Sequence, residues 1–455
     1  MKIIILVPGH SYGRSHIFLS GSATSIAARL LAMGHEVDLV DLNIDPLHSS
    51  FTASHLAKAD LVGISLTGPP DIPSVCSELP VLKALAPQAQ LLLGGQVIEH
   101  LTNEQFVRVF GSDVVQISDD RSLAAVLGCT VDEIPASNDV PFWPVWKRLG
   151  LERMELYMRH EMTLVVSQGC KFNCSFCAAS KSQRESFRAV GVFEADLRWM
   201  ADAAKAAGLT RLEFYASSLD FFQNPNSVAE LLRVMADVRA ETGLDIRTRC
   251  LSCIISFSHA AAVSFYGFPL RLKQAGLWCV GFGADGADAT IWQAQWKRHN
   301  SVDELHYCFG LCRKYDLRAE LLMVFGYPED TVWTLAKAVA TSIWFAFFKG
   351  NVLVHPYLAK SAVPGNKHWN EGGAHVEQIV SRPELFQHLD FAALGSRYTH
   401  PRTLHRWACN AAYLALIALL TPFGKNVTLP ILPQGEKGLW RAVTRWFNWW
   451  MPFDR

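Results

Sequence analysis

Two series of alternating strand and helix patterns account for most of the chain. In the first series, residues 1–135, short continuous apolar segments such as 3–7 and 61–66 alternate with helical segments such as 22–33. Continuous apolar strands separated by helices are typical of a parallel sheet covered by helices on both faces. The first series therefore predicts a doubly wound α/β domain, whose ligands would bind at the carboxyl ends of the strands.

The second series begins at residue 161 and contains six strand–helix units up to residue 365. Six units are fewer than the eight of a closed barrel, so they predict a partial (β/α)6 barrel. Between the series, a Pro- and Trp-rich stretch at 134–149 shows no regular period and indicates a linker, which we assign to residues 136–160. Residues 366–455 break the rhythm and predict a mainly helical, Trp-rich C-terminal region.

Charge and cysteine content narrow the class of protein. The chain has 455 residues, with 42 Lys and Arg against 42 Asp and Glu. A neutral chain argues against nucleic acid as the main partner, because phosphate binding needs a surplus of basic residues. We find no signal peptide, and the eleven cysteines are an odd number. We therefore expect a cytoplasmic protein whose cysteines serve metal or redox chemistry rather than disulfides.

Three cysteines form a motif directly after the first strand of the second series. Cys170, Cys174 and Cys177 have the spacing C-x-x-x-C-x-x-C within SQGCKFNCSFCAAS. Three thiolates on one loop can bind three irons of a cubane cluster and leave the fourth iron open. A structural zinc site needs a fourth protein ligand, and the nearest candidates, His160 and Cys250, lie outside the loop. The remaining eight cysteines are expected to be core thiols, with the pairs 250/253 and 308/312 as the alternative for a second cluster.

This motif, with Phe176 before its last cysteine, resembles the signature of the radical S-adenosylmethionine (SAM) enzymes. The resemblance implies an oxygen-sensitive [4Fe-4S] cluster held by Cys170, Cys174 and Cys177, and SAM bound to the open iron. It also implies an electron donor such as flavodoxin or ferredoxin. An electron from the cluster would cleave SAM to a 5′-deoxyadenosyl radical.

Further matches to this family follow at the ends of later strands. The resemblance implies SAM contacts by Phe176, Ser217, Ser218, Arg249, Asp285 and Gly326, with Lys297 downstream of Asp285 and a closing segment at 362–366. Each position also has a simpler interpretation. The serines could cap a helix, Arg249 could form an ion pair, and Gly326 could be a turn glycine. At Asp285 the family has a glutamate that this chain lacks in register.

Residues 1–135 resemble the Rossmann-like cobalamin-binding domain that a large subgroup of these enzymes carries. The resemblance implies cobalamin contacts by His10, Gly13, Ser65, Thr67, Gly94, Gly95 and Gln96. Hydroxyl groups can bond to the nucleotide tail, and paired glycines allow a close approach of the backbone. Pro8 stands where the family has the aspartate that orients the histidine, so His10 is either a cobalt ligand or an ordinary loop histidine.

The resemblance implies a cobalamin-dependent, class B radical SAM methyltransferase acting on an unactivated carbon of a small-molecule or lipid-like substrate. One SAM would methylate cobalamin and another would yield the radical. The alternative is a cyclase or a rearrangement or oxidation enzyme on a tetrapyrrole, lipid or natural-product scaffold, without methyl transfer. A non-enzymatic cobalamin or cluster sensor is a third hypothesis, which the intact cysteine motif disfavours. No catalytic side chain follows from the sequence.

Two C-terminal segments are rich in aromatic residues. Residues 407–423 contain an apolar run too short to span a bilayer and predict a buried helix. Residues 439–453 place aromatic residues at helical spacing opposite two arginines. This pattern suits a lid or core helix, or an interfacial helix that makes peripheral membrane contact.

Overall fold

The protein contains two parallel sheets and one small antiparallel ribbon in a computed structural model. The structure describes residues 1–9, 18–66, 71–177, 185–263, 268–359 and 403–425. Within these ranges the predicted α/β class, with an N-terminal doubly wound sheet and a six-stranded partial barrel, is confirmed.

The N-terminal sheet has the strand order β2-β1-β3-β4-β5, and every pair is parallel. Its strands are β1 (Lys2–Val7), β2 (Glu36–Asp41), β3 (Leu61–Ser65), β4 (Gln90–Gly94) and β5 (Val114–Ile117). Its helices are α1 (Gly21–Ala32), α2 (Ser50–Leu56), α3 (Asp71–Leu85), α4 (Gln96–Glu99), α5 (Asn103–Phe110) and α6 (Asp120–Leu127).

The continuously apolar sequence of β1 is explained by burial of the strand on both faces. Ile3, Ile5 and Val7 belong to a core that includes α1, whereas Ile4 and Leu6 belong to a second core on the other face. Because both faces of the strand are covered, alternation with polar residues is absent.

The segment between the sheets is more ordered than its sequence indicates. It contains α7 (Trp143–Leu149) and α8 (Leu151–Met158), and the side chain of Trp146 is fully buried. The sequence predicted a linker here and indicated neither of these helices. The helices are only seven and eight residues long and bury aromatic side chains, so they show no helical period.

The barrel sheet has the order β13-β12-β11-β10-β9-β6, again with parallel pairs throughout. Its strands are β6 (Met162–Val165), β9 (Arg211–Ser217), β10 (Asp245–Ser252), β11 (Leu277–Gly283), β12 (Arg318–Phe325) and β13 (Val352–Leu358). A short ribbon joins β7 (Ser167–Gln168) to β8 (Ser186–Phe187). The helices are α9 (Val190–Ala206), α10 (Pro225–Thr242), α11 (Ile254–Val263), α12 (Phe268–Gln274), α13 (Ala289–Ala294), α14 (Val302–Lys314) and α15 (Val332–Phe348).

One continuous core joins the N-terminal sheet, the linker helices and the barrel sheet. Polar contacts reinforce this junction. The Arg153 guanidinium pairs with Asp45 at 2.7 Å, and the Tyr157 hydroxyl donates to Asp41 at 2.7 Å. Apolar packing therefore joins the two sheets, and these polar bonds connect α8 to the N-terminal sheet.

The C-terminal part of the described chain is a helix, α16 (Thr403–Leu420), followed by a single turn at Thr421–Phe423. It packs on α15 and β13 through a buried face that includes Cys409, Tyr413 and Leu416. The helix is confirmed, but only one face of it is buried, since Trp407 and Leu419 are about half exposed. The predicted segments 362–366 and 439–453 lie outside the described residues. In the described part of the chain, no helix is long and apolar enough to cross a membrane.

Candidate active site

The cysteine loop, residues 170–177, is anchored at both ends by polar contacts. The Gln223 side chain accepts from the Lys171 backbone N–H at 3.2 Å and donates to the Gly169 carbonyl at 3.3 Å. At the other end, the Ser175 hydroxyl donates to Gln295 at 2.6 Å. The loop is thus tied to the segments that follow β9 and β11, at the carboxyl edge of the barrel sheet, where ligands of such barrels bind.

The three cysteine thiols share one electrostatic environment. Burial raises the pKa of Cys170 and raises that of Cys174 to about 12, whereas the nearby Lys297 ammonium opposes both shifts. Neutral thiols are therefore favoured unless a stronger positive charge is present, and a metal cluster supplies such a charge. The donor set of three thiols on one loop fits a cubane cluster, for which Cys is the usual ligand.

The side chains are not arranged around a single metal ion. Among the residues that the structure describes, no three His, Cys, Asp or Glu side chains are close enough to hold one ion. Three cysteines that bind a cubane cluster each bind a different iron, so they do not need to meet at one point.

A buried ion pair lies beside the cysteine loop. Lys297 is 4% exposed, and its ammonium donates to the Asp285 carboxylate and, at 2.6 Å, to the Gly283 carbonyl. Burial, the largest single cause, lowers the pKa of Lys297, but the nearby acidic groups, Asp285 foremost, together outweigh it and the net shift is upward. Asp285 has a positive φ of 52°. The sequence predicted Asp285 as a cofactor contact, and the structure shows its carboxylate already occupied by Lys297.

Residues at the carboxyl ends of β9 and β10 lie close to the cysteine loop. The hydroxyl groups of Ser218 and Ser167 are 2.7 Å apart, and the Ser217 carbonyl accepts from the Val166 backbone. Asp220 is fully buried and accepts from the Ser256 hydroxyl at 2.6 Å. The serines therefore lie near the cysteine loop, and Ser218 already takes part in a polar network.

Arg249 lies on β10 and pairs in register with Tyr215 of β9. Its guanidinium binds the Glu161 carboxylate through two bonds of 2.5 and 2.7 Å. Bidentate pairs of this kind are strong and directional. The structure therefore places Arg249 in an ion pair with a residue that sequence reasoning did not find.

Phe176 and Gly326 are brought together at the end of β12. Gly326 has a φ of +92°, and its N–H and that of Tyr327 donate to the Asp330 carboxylate at 2.8 and 3.0 Å. The ring of Tyr327 lies 5.7 Å from that of Phe176. Tyr327 is almost fully buried, and its hydroxyl has no hydrogen-bond partner in the described structure. It follows Gly326 directly, so the motif that identified the glycine could also have identified the tyrosine.

The predicted cofactor residues of the N-terminal sheet are described only in part. His10, Gly13 and Thr67 lie outside the described residues. Ser65 ends β3, and Gly94, Gly95 and Gln96 continue β4 into α4. Gly95 has a φ of +112°, and a Cβ there would lie 2.2 Å from the Leu66 carbonyl oxygen.

A contact through α1 connects this edge to the barrel. The Ser22 hydroxyl lies 3.2 Å from that of Ser65, and a Cβ on Gly21 would lie 2.9 Å from the Val165 side chain of β6. Gly21 and Ser22 are adjacent in the first turn of α1. The carboxyl edge of the N-terminal sheet and the first strand of the barrel sheet are therefore separated by one helical turn.

Comparison with solved structures establishes the fold. The methyltransferase TsrM from Kitasatospora setae, described as a radical SAM methyltransferase with cobalamin and a [4Fe-4S] cluster bound, matches with a TM-score of 0.60 at 15% identity. The match covers 82% of this chain and 78% of TsrM. This chain has the fold of the cobalamin-dependent radical SAM enzymes.

A second neighbour supports the same conclusion. OxsB, described as a cobalamin-dependent SAM radical enzyme with aqua-cobalamin and SAM bound, matches with a TM-score of 0.61 at 12% identity. The match covers 93% of this chain and 61% of OxsB. No protein-family model and no curated protein matches the sequence. The resemblance read from the cysteine motif is therefore confirmed at the level of the fold.

Proposed function

We propose that this protein is a cobalamin-dependent radical SAM methyltransferase that methylates an unactivated carbon of a small-molecule or lipid-like substrate. The observation that carries the proposal is the placement of the cysteine loop on a barrel sheet whose first strand contacts the carboxyl edge of a Rossmann-like sheet through α1. Both neighbours with this fold are described with cobalamin bound, and TsrM also with a [4Fe-4S] cluster. One TsrM structure is described with tryptophan as its substrate, which supports a small molecule.

The chain's own residues would bind and shield these groups. Cys170, Cys174 and Cys177 would hold the cluster, with Lys297 as a buried positive charge beside it. The proposed SAM contacts are Phe176, Ser217, Ser218, Arg249, Asp285 and Gly326. Two of them also form ion pairs within the chain, Arg249 with Glu161 and Asp285 with Lys297. When bound, the cluster and SAM would supply a carbon radical and cobalamin would supply the methyl group. Apolar walls such as Phe176 and Tyr327 would exclude water from the radical.

We divide the chain to match these roles. Residues 1–135 are proposed as the cobalamin-binding domain, 136–160 as the linker, 161–365 as the radical SAM core and 366–455 as the C-terminal region. His10, Gly13, Ser65, Thr67, Gly94, Gly95 and Gln96 are the proposed cobalamin contacts.

Anaerobic reconstitution with iron, sulfide and hydroxocobalamin tests the proposal. We expect one cluster and one cobalamin per chain, measured by iron analysis and by the absorbance that remains after desalting. Cys174→Ser should lose the cluster, whereas Cys250→Ser, a buried thiol outside the loop, should keep it. Loss of iron in both variants or in neither would contradict the cluster assignment. Failure of the wild type to retain cobalamin would contradict the methyltransferase assignment.

The products of SAM separate methyl transfer from the alternative chemistry. A methyltransferase forms S-adenosylhomocysteine as well as 5′-deoxyadenosine, whereas a cyclase or a rearrangement or oxidation enzyme forms 5′-deoxyadenosine without methyl transfer. Chromatography of the nucleoside products, with flavodoxin or ferredoxin as the proposed electron donor, distinguishes the two.

We also propose a peripheral membrane contact through 439–453, in a protein that we place in the cytoplasm. An apolar surface around α15 and the turn after α16 supports this proposal. It includes the exposed side chains of Trp333, Phe348 and Phe423. Flotation with anionic liposomes, compared with a chain that ends at residue 437, tests it. Equal flotation of both chains would contradict the assignment.

A further inference from the structure

A charged cluster lies on the concave face of the barrel sheet. We name it the lumen cluster; its members are Glu161, Tyr215, Arg249, Cys279, Glu320, His355 and Tyr357. Tyr215, Arg249, Glu320 and His355 come from four different strands of the barrel sheet. The cluster therefore depends on the fold and cannot be found as a sequence motif.

The charges of the lumen cluster do not balance. Arg249 is neutralised by its bidentate bond to Glu161. Glu320 is 5% exposed, and the nearest cationic atoms of the described chain are Arg249 Nη1 at 4.0 Å and His355 Nε2 at 3.6 Å. Both distances exceed a hydrogen bond. One buried carboxylate therefore lacks a cation of its own.

Neither neighbour of Glu320 supplies the missing charge. Burial lowers the pKa of His355, so its ring is neutral at pH 7, and its Nε2 has no hydrogen-bond partner within the described chain. Cys279 bonds to Glu320 through a thiol, which is a weak donor. A buried carboxylate without a close cation is costly, and a cationic ligand offsets that cost.

The surroundings of Glu320 also fit a cation with an apolar body. The ring of Tyr357 lies 5.9 Å from that of His355, whose Nε2 is 3.6 Å from Glu320. The ring of Tyr215 is already covered by the Arg249 guanidinium carbon at 5.0 Å. Tyr357 is 36% exposed and marks the open end of the cluster. Leu251 and Leu322 lie over Gly281, the residue that pairs with Glu320 across β11 and β12. Aromatic faces attract ammonium groups, and the leucines accept apolar surface.

We propose that the lumen cluster is a substrate subsite that binds an organic ammonium group on the Glu320 carboxylate, beside His355 and Tyr357. The substrate class is therefore an amine with an aromatic or aliphatic body. This inference rests on the proposed function, because it takes the barrel interior as the substrate site. Glu320 acts as a binding residue for the ammonium group.

Binding of phenethylamine and of its neutral analogue 2-phenylethanol to the reconstituted full chain tests the subsite. We expect calorimetry to show that the amine binds at least tenfold more tightly than the alcohol, and that Glu320→Gln removes this preference. Glu213→Gln is the matched control, because Glu213 lies on β9 two residues before Tyr215 and is partly exposed. It should keep the preference.

Two further measurements keep the outcome decisive. Should Glu320→Gln fail to fold, Tyr357→Ala at the open end should weaken the amine by several-fold and leave the alcohol unchanged. Equal binding of amine and alcohol to the wild type would overturn the subsite. Iron and cobalamin content are measured on the same samples. A chain that contains iron and cobalamin but binds amine and alcohol equally contradicts the subsite alone. A chain that retains no cobalamin contradicts the proposed function, whether or not it prefers the amine.

Discussion

Replacement of Gly95 by alanine tests the proposed cofactor edge of the N-terminal sheet. Gly95 caps α4 with φ +112° and ψ 175°, a conformation that side chains rarely adopt. An added Cβ would lie 2.2 Å from the carbonyl oxygen of Leu66, the residue that follows β3. The two strand ends must therefore separate for any residue other than glycine.

The magnitude follows from these two effects. The strained backbone costs about 1–3 kcal/mol, and displacing a packed neighbour costs about 1–3 kcal/mol more. A decrease of about 3 kcal/mol in the free energy of unfolding lowers the melting temperature of a domain the size of residues 1–135 by roughly 10 °C. Since Ser65 and Gly94 lie on the strands that must separate, we also expect weaker cobalamin retention.

Circular dichroism melting and cobalamin absorbance after desalting measure both effects. Gly94→Ala is the control for the melting temperature only, because its Cβ would lie 3.4 Å from the Ile117 carbonyl oxygen, an ordinary contact. We expect the free energy of unfolding of this control to lie within about 1 kcal/mol of that of the wild type. A Gly95→Ala chain that melts with the wild type and retains cobalamin equally would refute the reasoning.

Two further predictions concern buried ionisable side chains. Asp196→Ala leaves Arg188 buried without its partner at 2.7 Å and should cost about 3–5 kcal/mol in thermal unfolding, whereas Glu194→Ala, in an exposed pair, should cost under about 1 kcal/mol. Equal losses would contradict the prediction. Burial lowers the pKa of His299 to about 4, so its contribution to stability is complete above pH 6.5 and decreases as the pH falls from 6.5 to 4. His299→Phe preserves the stacking on Phe172 and should flatten the melting temperature over that interval, whereas the exposed His48→Gln should not; parallel profiles would contradict the assignment.

Local sequence patterns were sufficient to predict the two sheets and the cysteine loop. The continuous apolar run of β1 reflects burial on both faces, and this property is visible in the sequence alone. The three loop cysteines lie within eight residues, so their proximity does not depend on the rest of the fold. Helices α7 and α8 were missed because they are short and bury aromatic residues.

Contacts between distant segments could not be predicted. Arg249 and Glu161 are 88 residues apart, and their bond depends on how β10 lies relative to the start of β6. The pairing of Asp285 with Lys297 could not be seen because Asp285 was considered only as a cofactor contact. Glu320 and His355 come together only on the concave face of neighbouring strands. Strand register, which sequence patterns leave open, decides the contacts of Arg249 and Glu320.

Transfer of a labelled methyl group from SAM to bound cobalamin tests the central claim most directly. The reconstituted chain is incubated anaerobically with reduced cobalamin and with SAM that carries a CD3 group, and the bound cobalamin is analysed by mass spectrometry. We predict one CD3 group on the cobalamin of each chain, together with S-adenosylhomocysteine in equal amount. Cobalamin that stays bound but unlabelled, in a chain that still cleaves SAM to 5′-deoxyadenosine, would contradict methyl transfer.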